Sequence, residues 1–132
     1  MTQQKTVKLF KIESIEAMPA PFEKRFSVKL WVDENRSYIA DGPSLIYAFD
    51  SVIRQMLLNL EMGNFNGTSS ISGWQFLQTN SSSQRYRIWM KMKTSDSPNT
   101  FEGMGETELS AVFMALSNSY RSLFGINLMA KV

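Results

Sequence analysis

The feature that most constrains this chain is an internal duplication. The segment Arg25-Phe26-Ser27-Val28-Lys29-Leu30-Trp31-Val32 returns 60 residues later as Arg85-Tyr86-Arg87-Ile88-Trp89-Met90-Lys91-Met92. Phe26, Val28, Leu30 and Val32 fall on one face of the first segment, and Tyr86, Ile88, Met90 and Met92 on one face of the second. Period-two alternation of this kind marks a half-buried strand. Turn-rich stretches follow, Asp33 to Arg36 and Ser95 to Asn99, and then short return strands, Ser37 to Ala40 and Thr100 to Gly103. A glycine, Gly42 or Gly105, then opens a helix in each half.

The first helix is expected to carry Pro43 near its first turn, where a missing N–H is tolerated. Its apolar stripe is Leu45, Ala48, Phe49, Val52, Ile53, Met56, Leu57 and Leu60. The second has Thr107 as N-cap, Leu109, Val112, Phe113, Leu116, Tyr120 and Leu123 as its stripe, and Gly125 as its stop. Further strands are expected ahead of each hairpin, at Val7 to Ile15 and Ser72 to Thr79, with Gly63 to Ser72 as a connecting loop. The resulting expectation is an α+β fold: two βββα repeats packed as sheets on helices about a pseudo-twofold, in a single domain. Repeat one covers about residues 7–61, the linker 62–71 and repeat two about 72–124. One repeat alone, of about 60 residues, would be marginal, so the two are expected to cover each other's apolar helix faces.

Composition narrows the function. The chain has 132 residues, 43% hydrophobic and 20% charged, as a soluble domain does. It has no run of ~18 apolar residues that would span a membrane. Met1 to Lys8 lack the apolar stretch of a secretory signal, so a cytoplasmic protein is expected. With no cysteine and no histidine, the chain lacks the residues for a Ser-His-Asp triad, a Cys-His pair or an ordinary zinc site. Binding is therefore expected rather than catalysis, with no cofactor and no metal. A net charge of +2 gives no strong pull toward phosphate polymers.

The two glycine junctions are the leading candidate sites. Asp41-Gly42-Pro43-Ser44 and Gly103-Met104-Gly105-Glu106-Thr107 place helix-start N–H groups beside residues without side chains, a seat for a carboxylate or phosphate. The plainer reading is a tight strand-to-helix turn. Neither junction is a dinucleotide fingerprint or a Walker loop. Lys29, Arg87, Lys91 and Lys93 with Trp31 and Trp89 suggest a basic, aromatic sheet face for single strands. However, the element order differs from the βαββαβ of an RNA-recognition fold, and nucleic acid is the less favoured partner. Glu102, Glu106, Glu108 and Asp41 read as carboxylates that offset helix dipoles, and Met56, Met62, Met90, Met92 and Met114 as core filler.

The βββα-βββα order with these junctions resembles the C-terminal regulatory, dimer-forming domain of the 2-isopropylmalate, citramalate and homocitrate synthase family. The resemblance covers about Leu9 to Leu123. It rests on Lys29-Leu30-Trp31-Val32 leading to Asp41-Gly42-Pro43, and on Gly103-Met104-Gly105 followed by Ala111-Val112-Phe113-Met114-Ala115-Leu116-Ser117-Asn118. Gly73-Trp74-Gln75-Phe76 stands where the family commonly has Asp-Tyr-x-Val. Ala40 replaces the family's first glycine, and Trp74 its smaller tyrosine. The interval from Gly105 to Ala111 is about two residues shorter than usual.

The resemblance implies a homodimer that binds a small amino or keto acid effector near the dimer interface. It carries the effector site onto Gly42, Pro43, Ser44, Leu45, Ile71, Trp74, Gln78, Gly105 and Glu106. The family's catalytic barrel is missing, so the chain is expected to be an excised regulatory segment or a free-standing relative with a separate catalytic subunit as partner. A scaffold domain without a small ligand is the alternative.

Overall fold

In the computed structural model, which describes residues 5–17, 25–60, 70–80, 85–93 and 98–130, ten elements follow one another. They are β1 (Lys5–Lys8), β2 (Lys11–Ala17), β3 (Arg25–Trp31), β4 (Ser37–Gly42), α1 (Leu45–Asn59), β5 (Ser70–Gln78), β6 (Tyr86–Lys93), β7 (Pro98–Gly105), α2 (Glu108–Phe124) and β8 (Ile126–Met129). The βββα order occurs twice. Each duplicated segment forms the central strand of a three-stranded antiparallel sheet, β2-β3-β4 in one unit and β5-β6-β7 in the other. Alternation buries Val28 and Leu30 from β3, and Ile88, Met90 and Met92 from β6. Burying each such side chain is worth about 1.5–3 kcal/mol. Helix α1 packs on β3 and β4, α2 packs on β6 and β7, and the two helices pack on each other.

Local chemistry sets the element ends. Asp33 Oδ1 accepts from the amides of Asn35 (2.8 Å) and Arg36 (2.7 Å), which fixes the β3–β4 turn. Ser44 caps α1 by accepting from the amide of Tyr47 at 3.4 Å. Thr107 caps α2 within a reciprocal box: its Oγ1 accepts from the amide of Ser110, whose Oγ accepts from the amide of Thr107. Gly125 ends α2 in the left-handed region at φ 66°, a conformation that favours glycine.

The structure departs from the sequence reading at several places. Val7 to Ile15 is not one strand. The amide of Leu9 donates to the carbonyl of Met129, while that of Phe10 donates to the carbonyl of Trp31. Consecutive amides thus belong to different sheets, and the chain breaks into β1 and β2. β1 pairs in parallel with β8, an unexpected strand in which Ile126 and Leu128 are buried. The return strands extend to Gly42 and Gly105, so each glycine closes a strand and the caps come two residues later. Pro43 accordingly stands just before the Ser44 cap, near the first turn of α1 as expected. Ser70 to Ser72 belong to β5, whereas residues 63–69 and Met62 lie outside the described residues. Met56, Met90 and Met92 are fully buried as expected, but Met114 is exposed on the far side of α2.

The glycines have a packing role that the sequence did not reveal. A Cβ on Gly103 would stand 2.2 Å from the carbonyl oxygen of Ala111 and 2.4 Å from the amide nitrogen of Ala115. The β7 backbone therefore lies directly on α2, where Ala111 and Ala115 keep the helix surface low. Asn118 Nδ2 donates to the Glu102 carbonyl at 2.8 Å and ties the same two elements together. We expect Gly103→Ala to force α2 off its strand and destabilise the fold by at least about 1–3 kcal/mol, read as a lowered Tm. Gly73→Ala, with nothing within 4 Å of the added methyl, should change stability by about 0.5 kcal/mol or less.

Candidate functional site

The first turns of the two helices meet at a cavity of about 410 Å³. Phe26 comes to it from β3, Pro43, Ser44, Leu45 and Ile46 from the start of α1, and Trp74 and Phe76 from β5. Ile88 on β6 and Glu108 and Val112 on α2 complete the lining. Phe26, Ile88 and Phe76 are there because strand alternation turns them toward the helices; Phe76 and Ile88 are cross-strand partners. Trp74, 42% exposed, stands with Pro43 and Glu108 at the solvent side.

The walls are apolar and the polar groups few, as in small-molecule pockets. Leu45 and Ile46 are the first two residues of α1, and the amides of a helix's first turn have no partner within the helix. These amides and the partial positive charge of the helix start favour an anion at that wall. Glu108 supplies a carboxylate on another wall. The start of α2 is a poorer anion seat, because its capping box already engages the Thr107 and Ser110 amides. A guest with a carboxylate, an apolar body and, opposite Glu108, a cationic group matches this arrangement.

The structure divides the sequence-derived site residues. Pro43, Ser44, Leu45 and Trp74 line the cavity. Gly42 is buried beneath α1, with its Cβ position 2.9 Å from the amide nitrogen of Ala48, and Gly105 faces the Ser110 hydroxyl in the same manner. Both glycines let their own helices sit close to the strand ends. Ile71 packs against the core, Gln78 is exposed at the end of β5, and Glu106 is exposed between Gly105 and the Thr107 cap; none borders the cavity. The sequence reading missed Phe26, Ile46, Phe76, Ile88, Glu108 and Val112 as cavity residues. Apolar alternation marks a wall residue and a core residue identically, and an acid in a first helical turn reads as a dipole partner.

The basic, aromatic face divides as well. Lys29 Nζ lies 4.4 Å from the Trp31 ring centroid on one sheet, and Arg87 lies 5.0 Å from that of Trp89 on the other. Arg87 is also ion-paired to Glu102, and Trp31 Nε1 donates to Glu13 at 3.0 Å. Hydrogen bonds from Lys11, then Trp31, hold the Glu13 carboxyl below the usual carboxylate range. Asp41, expected near a helix start, instead accepts from Ser27 across the β3–β4 pair.

A polar cluster between the helices was not anticipated. Asp50 of α1 is only 6% exposed; it accepts from the hydroxyl of Tyr120 on α2 at 2.6 Å and from Arg54 Nε at 2.6 Å. Asp50 and Arg54 stand four apart, a spacing legible in sequence as a helical ion pair, but their partner is 70 residues away. Burial, with the Asp50 charge adding to it, pushes the Tyr120 phenol well above its ordinary value near 10. Burial alone would lower the Arg54 pKa, yet Tyr120 and Asp50 raise it.

No protein-family model matches the chain, and no curated protein matches it in sequence. The synthase resemblance therefore rests on the residues quoted for it.

Asp50→Ala removes the buried carboxylate that accepts from both the Tyr120 hydroxyl and Arg54. It should destabilise the fold by about 2–4 kcal/mol in denaturant titrations, against about 1–2 for Tyr120→Phe. Tyr120 also sets an alkaline limit. Its folded pKa is raised, so the unfolded chain loses the proton first, and stability is complete below pH ~10 and falls as pH rises toward the folded value. Tyr120→Phe should flatten that alkaline decline in a Tm-against-pH series.

Proposed function

We propose that this chain is a non-catalytic small-molecule-sensing and dimerisation module, and that it holds a small apolar amino or keto acid in the cavity between its two βββα units. The carrying observation is the cavity's construction. One wall is the start of α1, a second wall holds the carboxylate of Glu108, and the remainder is Phe26, Ile46, Trp74, Phe76, Ile88 and Val112. The α1 end receives the guest's carboxylate, Glu108 faces an ammonium where one is present, and the apolar residues select the side chain. Because both units contribute walls, a guest bridges them and stabilises their packing. That is how such a module reports occupancy to a partner, for which a second copy and a separate catalytic subunit are the two proposals. A cytoplasmic setting belongs to the same reading. Among the described residues, no helix is long and apolar enough to cross a membrane.

The test is a panel of amino and keto acids in a thermal-shift assay, with tryptophan emission followed in parallel because Trp74 borders the cavity. A fitting apolar amino acid at 100 times its Kd should add about 2.7 kcal/mol of stability and raise Tm accordingly. Glu108→Gln should weaken amino acids about tenfold or more while leaving the matching keto acids nearly unchanged. Should no acid in the panel move Tm at millimolar concentration, the sensing proposal fails.

A further inference from the structure

We infer that two copies of this chain pair through β5, antiparallel about a twofold axis at Gln75, so that β7-β6-β5 of one continues into β5-β6-β7 of the other. This inference names the surface for the dimerisation half of the proposed function, rests on that half, and is independent of the ligand.

Among the described residues β5 pairs with β6 alone, which leaves one side of a nine-residue strand as a sheet edge. An open edge is a template for another strand, and proteins that remain monomeric blunt such edges with charge, proline or shortness. The other edges are blunted in these ways. β2 contains Lys11 and Glu13, β4 contains Asp41, and β7 contains Glu102. β1 has Lys5 and Lys8, and β8 is four residues long. β5, Ser-Ile-Ser-Gly-Trp-Gln-Phe-Leu-Gln, has neither charge nor proline, and it leaves Trp74 42% and Leu77 43% exposed.

The strand is also complementary to itself. Trp74 and Phe76 stand opposite buried Met90 and Ile88 on the helix-facing side, while Gly73, Gln75 and Leu77 oppose Lys91, Trp89 and Arg87 on the outer side. In an antiparallel pair with Gln75 opposite Gln75, Trp74 meets Phe76 of the second copy twice, a favoured aromatic cross-strand pair. On the outer side Leu77 meets Gly73, where nothing lies within 4 Å of a Cβ position and the added side chain has room. Every pair falls on a matching face, no like charges meet, and the contact closes on itself without leaving a further β5 edge. Since Trp74 and Phe76 also line the cavity, the second copy's aromatic pair lies at the cavity mouth, and dimer and pocket share one wall.

The absence of cysteine makes the test direct. Light scattering should show a dimer for the unaltered chain. Gln75→Cys, the sole thiol and on the axis, should run as a covalent dimer under mild oxidation, whereas Gln55→Cys on the exposed face of α1 should not. Gln75→Lys sets two like charges face to face and should weaken the dimer at least tenfold without altering circular dichroism. A monomeric unaltered chain overturns the inference and the dimerisation half of the functional reading together. A dimer that Gln75→Cys does not cross-link and Gln75→Lys does not dissociate overturns the β5 interface alone. The ligand panel on Gln75→Lys is a separate readout: a preserved thermal shift leaves sensing intact whichever way the interface result falls.

Discussion

The contact between α1 and α2 is the interaction on which the rest of the molecule depends. Each helix covers one face of a three-stranded sheet, and α2 also packs on β8. The two helices then meet each other, with the Phe49 and Phe113 rings tilted against one another at 5.9 Å between centroids. Asp50, Arg54 and Tyr120 add direction to that contact. Apolar packing alone tolerates a helix that slides or rotates, whereas a buried carboxylate with two donors accepts few arrangements. Polar specificity inside an apolar seam fixes which residues of one unit face which of the other.

The cavity follows from the same contact. Each sheet carries its helix close by means of Gly42, Gly103 and Gly105, so the strand-to-helix junctions are tight and the first turns begin near the strand ends. Bringing α1 and α2 together then places both first turns beside β3, β5 and β6, and large side chains wall the space between them. Glycines that resemble a ligand cradle in one dimension are, in three, what allows the helices to sit low enough for a pocket to form beside them.

The duplicated framework was legible because it is local and periodic. Alternation in Phe26 to Val32 and Tyr86 to Met92, the helical stripes, the Thr107 cap and the Gly125 stop each stand in a few consecutive residues, and each is found where expected. The misses are non-local. Nothing within Val7 to Ile15 says that adjacent amides will bond to different sheets, and nothing in Ile126 to Met129 names the first strand as its partner. The pocket was half legible for the same reason. Pro43, Ser44, Leu45 and Trp74 follow from motif position, but Phe26, Ile88 and Val112 become walls only through the packing of two units distant in sequence. At Gly42 and Gly105 the close backbone approach that the sequence marks is made by the chain's own helices.

The parallel pairing of β1 with β8 gives the molecule a mechanical property. Lys5 lies beside Ile126 and Lys8 beside Met129, so the chain enters at one end of this ribbon and leaves at the other. Tension transmitted through the backbone ahead of Lys5 and beyond Met129 loads the ribbon in shear, and its bonds must give way as a set instead of unzipping one by one. Resistance to pulling is set by the rate of that concerted rupture and not by equilibrium stability. A four-residue ribbon, minor in a thermodynamic account, is thus the clamp through which any tether would feel the domain.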